Sequence, residues 1–178
     1  DHVRATLRAL VRETSSSELA AMEQMVQVAP ELLWGVRELA DACKRRGDLE
    51  RARVLLESAV ARAPTDAYNH GCLADTLWAM GRRDEAVASV RRAVALLPEY
   101  PWAWWALRTW ALELNRPEIP ESAARDEAAR RPGETRSWMI LEENLSRADQ
   151  LEERLEAVNR AIELSLHDAG AHELKATV

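Results

Sequence analysis

Apolar residues recur along this chain at helical spacing. Leu32, Val36, Leu39, Ala40 and Cys43 mark one stripe, and Leu49, Ala52, Leu55, Leu56, Ala59 and Val60 the next. Between them, Lys44-Arg45-Arg46-Gly47-Asp48 reads as a basic helix end closed by a glycine that takes the left-handed turn conformation. The pattern then repeats every 34 residues, as in Pro30, Pro64, Pro98 and Pro132. Other columns keep time with it: Leu39, Leu73, Leu107 and Leu141; Ala40 and Ala74; Gly47 and Gly81; Ala52 and Ala86; Ala59, Ala93 and Ala161. Each proline ends a second stripe, because it lacks an N–H and biases its predecessor away from helix. A period in the range of roughly 20–50 residues is the mark of a repeat architecture. The stripes predict helices at about 3–12, 16–29, 32–45, 49–62, 67–80, 83–96, 101–114, 121–131, 135–147 and 151–165, with a stub from about 169. Ser15-Ser16-Ser17-Glu18 reads as a helix start, with a Ser as N-cap. The fold is therefore all-α. Each unit is two antiparallel helices, and stacking one pair on the next buries stripes that neither helix buries alone.

These columns resemble the tetratricopeptide repeat. The unit from Leu33 to Asp66 carries Val36, Leu39, Ala40, Cys43, Gly47, Ala52, Leu56, Ala59 and Pro64 at the family's characteristic places. The unit from Ala67 to Tyr100 carries His70, Leu73, Ala74, Leu77, Gly81, Ala86, Val90, Ala93 and Pro98. The unit from Pro101 to Glu134 keeps Trp104, Leu107, Ala111 and Pro132, but has Arg108 for the small residue, Asn115 for Gly, Pro120 for Ala and Glu127 for the second Ala. The next, to Asp168, has Arg154 for Ala and Leu166 for the proline. The first, Asp1 to Leu32, keeps only Ala5, Ala9, Met22 and Pro30. The resemblance implies a right-handed superhelical solenoid of about four and a half repeats. Its units fall at about 1–32, 33–66, 67–100, 101–134 and 135–168, with a stub at 169–178, in a single repeat domain expected to be part of a larger protein. The stretch from Pro101 to Arg108 is also faintly similar to a helix segment of protein prenyltransferase alpha subunits.

The unit from Pro101 to Glu134 departs most. Its expected second helix, Glu121 to Arg131, has only alanines as apolar residues. Its first helix gathers Trp102, Trp104, Trp105 and Trp110. Volume compensation is one reading, with large side chains filling space a thin helix leaves. On that reading Trp104 and Trp138, in the column of large residues, are core, and Trp110 covers the short helix. The resemblance adds another: first helices line the family's concave, partner-binding surface. That places Trp34, Tyr68 and Trp102 in a column along the groove, with Arg37, Trp78 and Trp105 beside it. These six are the expected partner-binding residues, since aromatics are enriched at interface hot spots. The reading requires that Trp34, Tyr68 and Trp102 not be fully buried.

Composition narrows the function. Of 178 residues, 30% are charged and the net charge is −6, which argues against nucleic acid as a partner. No apolar run reaches the length of a membrane span. Cys43 and Cys72 have no metal-ligand spacing and suit a reduced, cytoplasmic setting. His2, His70, His167 and His172 do not pair as ligands, and no glycine-rich phosphate loop occurs, so neither catalysis nor a cofactor nor a metal is expected. A clamp for acidic C-terminal peptides, known in the family, finds Arg37, Lys44 and Arg45 here, but Asp41 and Asp75 stand where it needs Asn. The Lys44-Arg45-Arg46 cluster suits a helix C-terminus, and Arg82-Arg83 and Arg91-Arg92 read as solvated faces. The expected function is a non-enzymatic module binding a protein or peptide in the concave groove. The alternatives are a regulatory or substrate-docking domain of a larger enzyme and a homo-oligomeric scaffold joined through terminal repeats, where Leu166 and Leu174 lie in uncapped stripes.

Overall fold

The computed structural model describes residues 15–145 and 148–176, among which there are nine α-helices. The chain divides into two compact units, Asp1–Leu96 and Leu97–Val178. In the first, α1 (Ser15–Val28) packs on α2 (Leu33–Arg45), which pairs with α3 (Leu49–Arg62). The chain then forms a second pair, α4 (Ala67–Ala79) and α5 (Arg83–Leu96). In the second unit, α6 (Pro101–Glu113) pairs with α7 (Glu118–Arg130), and α8 (Thr135–Asn144) leads through a 3-10 turn (Ala148–Gln150) into α9 (Leu151–Ala176). The helix expected at 3–12 lies outside the described residues.

The column residues form the core. Val36, Leu39, Ala40, Cys43, Ala52, Leu56 and Ala59 are buried in the first pair, and Leu73, Ala74, Leu77, Ala86, Val90 and Ala93 in the second. The alanines let helix backbones approach, and the larger residues fill the space beside them.

The turns within pairs share one geometry. Gly47 has φ 84° and Gly81 φ 78°. Beyond each, a backbone N–H reaches back five residues: Asp48 N donates to Cys43 O at 3.0 Å, and Arg82 N to Leu77 O at 2.9 Å. This is the six-to-one bond that closes a helix around a left-handed residue. Asn115, where the family has Gly, adopts φ 53°, and Arg116 N donates to Ala111 O at 2.8 Å. Asparagine tolerates this region better than other residues with a Cβ, so the substitution preserves the turn. A Cβ built on Gly81 meets no atom within 4 Å, so Gly81→Ala costs backbone strain alone. The expected loss is about 1 kcal/mol, with Asn115→Gly close to neutral; urea unfolding of the two variants tests this.

Three boundaries differ from expectation. Helix α7 begins at Glu118 rather than 121, and it buries Ile119 and Pro120. Pro120 is tolerated because the first four N–H groups of a helix have no partner inside it. The early start also means that α7 is not apolar through alanine alone. Helix α8 stops at Asn144 rather than 147. Helix α9 runs to Ala176, through both the expected stop at 165 and the expected stub at 169. Leu166 stands in the proline column, and without proline nothing removes the hydrogen bond that carries the helix onward.

Helix α7 also buries two carboxylates. Glu127, in an alanine column, accepts from Ser137 Oγ at 3.3 Å and pairs with Arg130 at 2.9 Å and Arg131 at 3.1 Å. Glu121 accepts from Gln150 Nε2 at 2.6 Å and lies 3.6 Å from Arg125, which grips Glu153 through two bonds of 2.7 and 2.8 Å. Buried charges persist when paired and hydrogen-bonded, and these ties fasten α7 to α8, the 3-10 turn and α9.

Candidate partner-binding surfaces

In the first unit the expected site residues lie on α2 and α4, and the structure engages most of them internally. Arg37 Nη1 donates to Asp66 Oδ2 at 2.9 Å and to Asn69 Oδ1 at 2.8 Å, with its guanidinium 5.9 Å from the Tyr68 ring centre. Asn69 is fully buried, and its Nδ2 donates to Ala59 O at 3.2 Å. Asp66 meanwhile caps α4 by accepting from the Tyr68 and Asn69 backbone N–H groups. Arg37 therefore braces α2 against the start of α4 and sets the position of Tyr68, which is half exposed. Trp34 is half-buried. Trp78 is also half-buried, with the Arg83 guanidinium stacked 3.9 Å over its ring and Arg83 Nη1 donating to its carbonyl at 2.8 Å.

The cations that a carboxylate clamp would use are matched. Lys44 hydrogen-bonds Asp75 and lies 3.2 Å from Asp41, which also pairs with Arg45. Burial works against the Lys44 charge, but the Asp75 bond and the fields of Asp75 and Asp41 outweigh it and hold the amine above its usual 10.5. Burial pushes the Cys72 thiol up to about 11, and it raises the buried Cys43 thiol as well. Both are free thiols kept in the unreactive protonated form at neutral pH.

In the second unit, four aromatic residues of α6 separate into distinct roles. Trp104 and Trp110 are buried, the latter as expected of a cover for α7. Trp102 is half-buried, 5.7 Å from the Tyr100 ring and edge-on to Trp110 at 6.2 Å and 85°. Trp105 is 55% exposed. Two further residues join it. Leu112 is 81% exposed one heptad along α6, and Met139 on α8 is 44% exposed. Neither was among the expected site residues, although both were legible in the same columns, Met139 in that of Arg37 and Trp105, Leu112 in that of Lys44 and Trp78. Trp34, Tyr68 and Trp102 thus all retain exposure, which the partner-binding reading requires.

Trp138, expected in the core, is half-buried. It borders a cavity of about 370 Å³ between α8 and α9, together with Met139, Val158, Ile162 and Leu166. Its indole nevertheless makes a bond that the column reading missed. Trp138 Nε1 donates to Pro132 O at 2.9 Å, Trp104 Nε1 to Pro98 O at 2.9 Å, and His70 Nε2 lies 2.9 Å from Pro64 O. In three successive repeats a ring nitrogen six residues after the periodic proline meets that proline's own carbonyl, in the turn beyond the preceding helix. The signal was the recurrence of His, Trp and Trp at one spacing from Pro64, Pro98 and Pro132.

Among the described residues, no group of three or more His, Cys, Asp or Glu side chains could hold a metal ion, and no helix is long and apolar enough to cross a membrane.

A family model described as tetratricopeptide repeat matches residues 73–100, from the second half of α4 through α5 and Pro98. That stretch of the chain matches one tetratricopeptide repeat. The fold of the chain is shared by solved structures of low sequence identity. A crystal structure of MamA superposes with a TM-score of 0.54 at 18% identity, covering 88% of this chain and 91% of that one. YrrB, described as a TPR protein with an unusual peptide-binding site, gives 0.54 at 16% identity over 81% and 74%. The structure of Naa15/Naa10 bound to HypK-THB gives 0.60 at 17% identity over 96% of this chain and 25% of that one. No curated protein matches in sequence.

Proposed function

We propose that this repeat chain is a protein-interaction module that holds a peptide or a partner domain on the first-helix faces of its units. The observation that carries this reading is the exposure of three large apolar side chains on the first helices of the second unit: Trp105 and Leu112, one heptad apart on α6, and Met139 on α8. Exposing a tryptophan, a leucine and a methionine together costs hydration free energy that a purely structural face would avoid. Trp is also among the residues most enriched at hot spots, and Met repacks to fit irregular partners. In the first unit, Tyr68, in the column of Trp34 and Trp102, is an exposed aromatic on a first helix with the Arg37 guanidinium beside its ring. The fold's likeness to YrrB, with its peptide-binding site, supports the same role.

The test is selection of binders from a displayed peptide library, followed by titration of the best binder against the chain and its Trp105→Ala, Leu112→Ala, Met139→Ala triple variant. All three residues are exposed, so the fold is retained. The expected result is a loss of affinity of at least about tenfold. Unchanged affinity in a folded triple variant would overturn the proposal.

A further inference from the structure

The α8–α9 pair carries an apolar face that the pair before it does not. On α7, Glu121, Ala124 and Ala128 are buried, and α8 packs against that helix. The residues 34 positions on, Leu155, Val158 and Ile162 of α9, are exposed, half-buried and exposed. Trp104 and Trp138 differ in the same way. Both bond a proline carbonyl, but Trp104 is buried and Trp138 borders the cavity of about 370 Å³ between α8 and α9. Within each unit, a first helix rests on the second helix before it, α4 on α3 and α8 on α7. Among the described residues, nothing takes the corresponding place on α9, which runs on to Ala176.

Leu151, Leu155, Val158, Ile162 and Leu166 recur at intervals of three and four residues, so they form one stripe along α9. All but Val158 are more than half exposed. An acidic row lies along one edge of the stripe: Glu152, Glu156 and Glu163 each directly follow a stripe residue. Glu163 is paired with Arg160 at 2.9 Å, whereas Glu152 and Glu156 are exposed and make no ion pair among the described residues. The start of the chain has the complementary pattern. Val3, Leu7, Leu10 and Val11 have helical spacing, and Arg4, Arg8 and Arg12 each directly follow one of Val3, Leu7 and Val11. This is the first helix expected at 3–12, the kind of element that the open face of α9 lacks. Successive helices of such an array pack antiparallel. Two right-handed helices that face each other antiparallel set the rows that follow their stripes on the same side. The arginine row then meets the acidic row, whereas two copies of α9 face to face set acid against acid.

We propose that the α8–α9 groove receives residues 3–12 of a second copy of this chain, joining copies head to tail. Val3, Leu7, Leu10 and Val11 cover the stripe, and Arg4, Arg8 and Arg12 lie along Glu152, Glu156 and Glu163. The segment leads directly into α1, which packs on α2 in the first unit, while the groove belongs to the second. Groove and segment are different surfaces, so the interface is heterologous, and each added copy brings one of each to extend an open chain or close a ring. This association goes beyond the partner-binding reading, since neither Trp105 nor Leu112 lines the groove.

The experiment is sedimentation velocity of the whole chain over a concentration series, alone and as charge-reversed variants. The unaltered chain is expected to associate, with a mass that rises with concentration. Arg4→Glu, Arg8→Glu, Arg12→Glu and, separately, Glu152→Arg, Glu156→Arg are each expected to weaken association by at least about tenfold. Mixing the two variants is expected to restore it, because the acidic segment of the first then meets the basic groove of the second, and the unaltered segment of the second meets the unaltered groove of the first. Arg4→Gln, Arg8→Gln, Arg12→Gln takes the place of the glutamate variant if circular dichroism shows that one unfolded, and the weakening alone is then read. A monomer at every concentration, indifference to either reversal, or absence of rescue on mixing the two folded variants would each overturn the assignment. A Trp105→Ala, Leu112→Ala variant is expected to associate like the unaltered chain, so the partner-binding reading can fail while this one stands, and the reverse.

Discussion

Alanine at both Arg130 and Arg131 is expected to destabilise the second unit by about 3 kcal/mol, whereas Glu127→Met changes its stability by less than about 1 kcal/mol. The asymmetry follows from where each partner sits. The Glu127 side chain is buried, while Arg130 and Arg131 remain in partial contact with water. Deleting the arginines strands a carboxylate in the interior with Ser137 as its remaining tie among these groups, and the desolvation cost is no longer offset. Deleting the carboxylate instead leaves two arginines free to swing into solvent, and methionine fills the vacated volume with apolar atoms. Urea unfolding followed by tryptophan fluorescence measures the difference, since Trp102, Trp104, Trp105, Trp110 and Trp138 all lie in the second unit. Equal costs for the two variants would mean that Glu127 is stabilised by something other than its arginines.

Trp104→Ala is expected to cost about 4 kcal/mol, the scale of a large aromatic truncated in a close-packed interior. Trp104 is 3% exposed, and its neighbours Ala103, Ala106 and Leu107 are buried with it, so the space it leaves has little to collapse into it. Trp104→Phe separates volume from polarity. Phenylalanine keeps much of the ring but removes the N–H that reaches Pro98 O at 2.9 Å. That variant is expected to lose about 1–2 kcal/mol, the cost of leaving a buried carbonyl unpaired, on top of a small packing term. Thermal unfolding of both variants checks the order. If Trp104→Phe were as damaging as Trp104→Ala, the bond to the proline carbonyl would matter more than the volume.

Much of this architecture is legible in the 34-residue columns, for a physical reason. Stacked pairs present the same few close approaches in every unit, so the same small or branched residues recur there. Ala40 and Ala74, or Leu56 and Val90, are buried because each faces the same local geometry. What the columns hide is how a departure is absorbed. Asn115 keeps the turn of Gly47 and Gly81 because it too reaches positive φ, which a reading by residue identity scores as a loss. Pro120 breaks no helix because it lies where backbone donors have no helical partner. Glu127 in an alanine column looks like a surface residue until Arg130 and Arg131, three and four residues on, are seen to wrap one turn back to it. The exposed apolar positions were half visible: Trp105 stood out by its size, while Leu112 and Met139 were residues of ordinary type in the same columns. Whether any of the six expected contact residues meets a partner depends on molecules outside this chain, and no spacing within it encodes that.

The central claim, that the first-helix face of the second unit binds a protein partner, is tested most directly by site-specific photocrosslinking. A benzoylphenylalanine placed at Trp105 is compared with one at Asp126, an exposed position on α7. With a selected peptide binder present at saturation, the account predicts crosslinking from position 105, competed away by unlabelled peptide, and none above background from position 126. Crosslinking from 126 with none from 105 would contradict it.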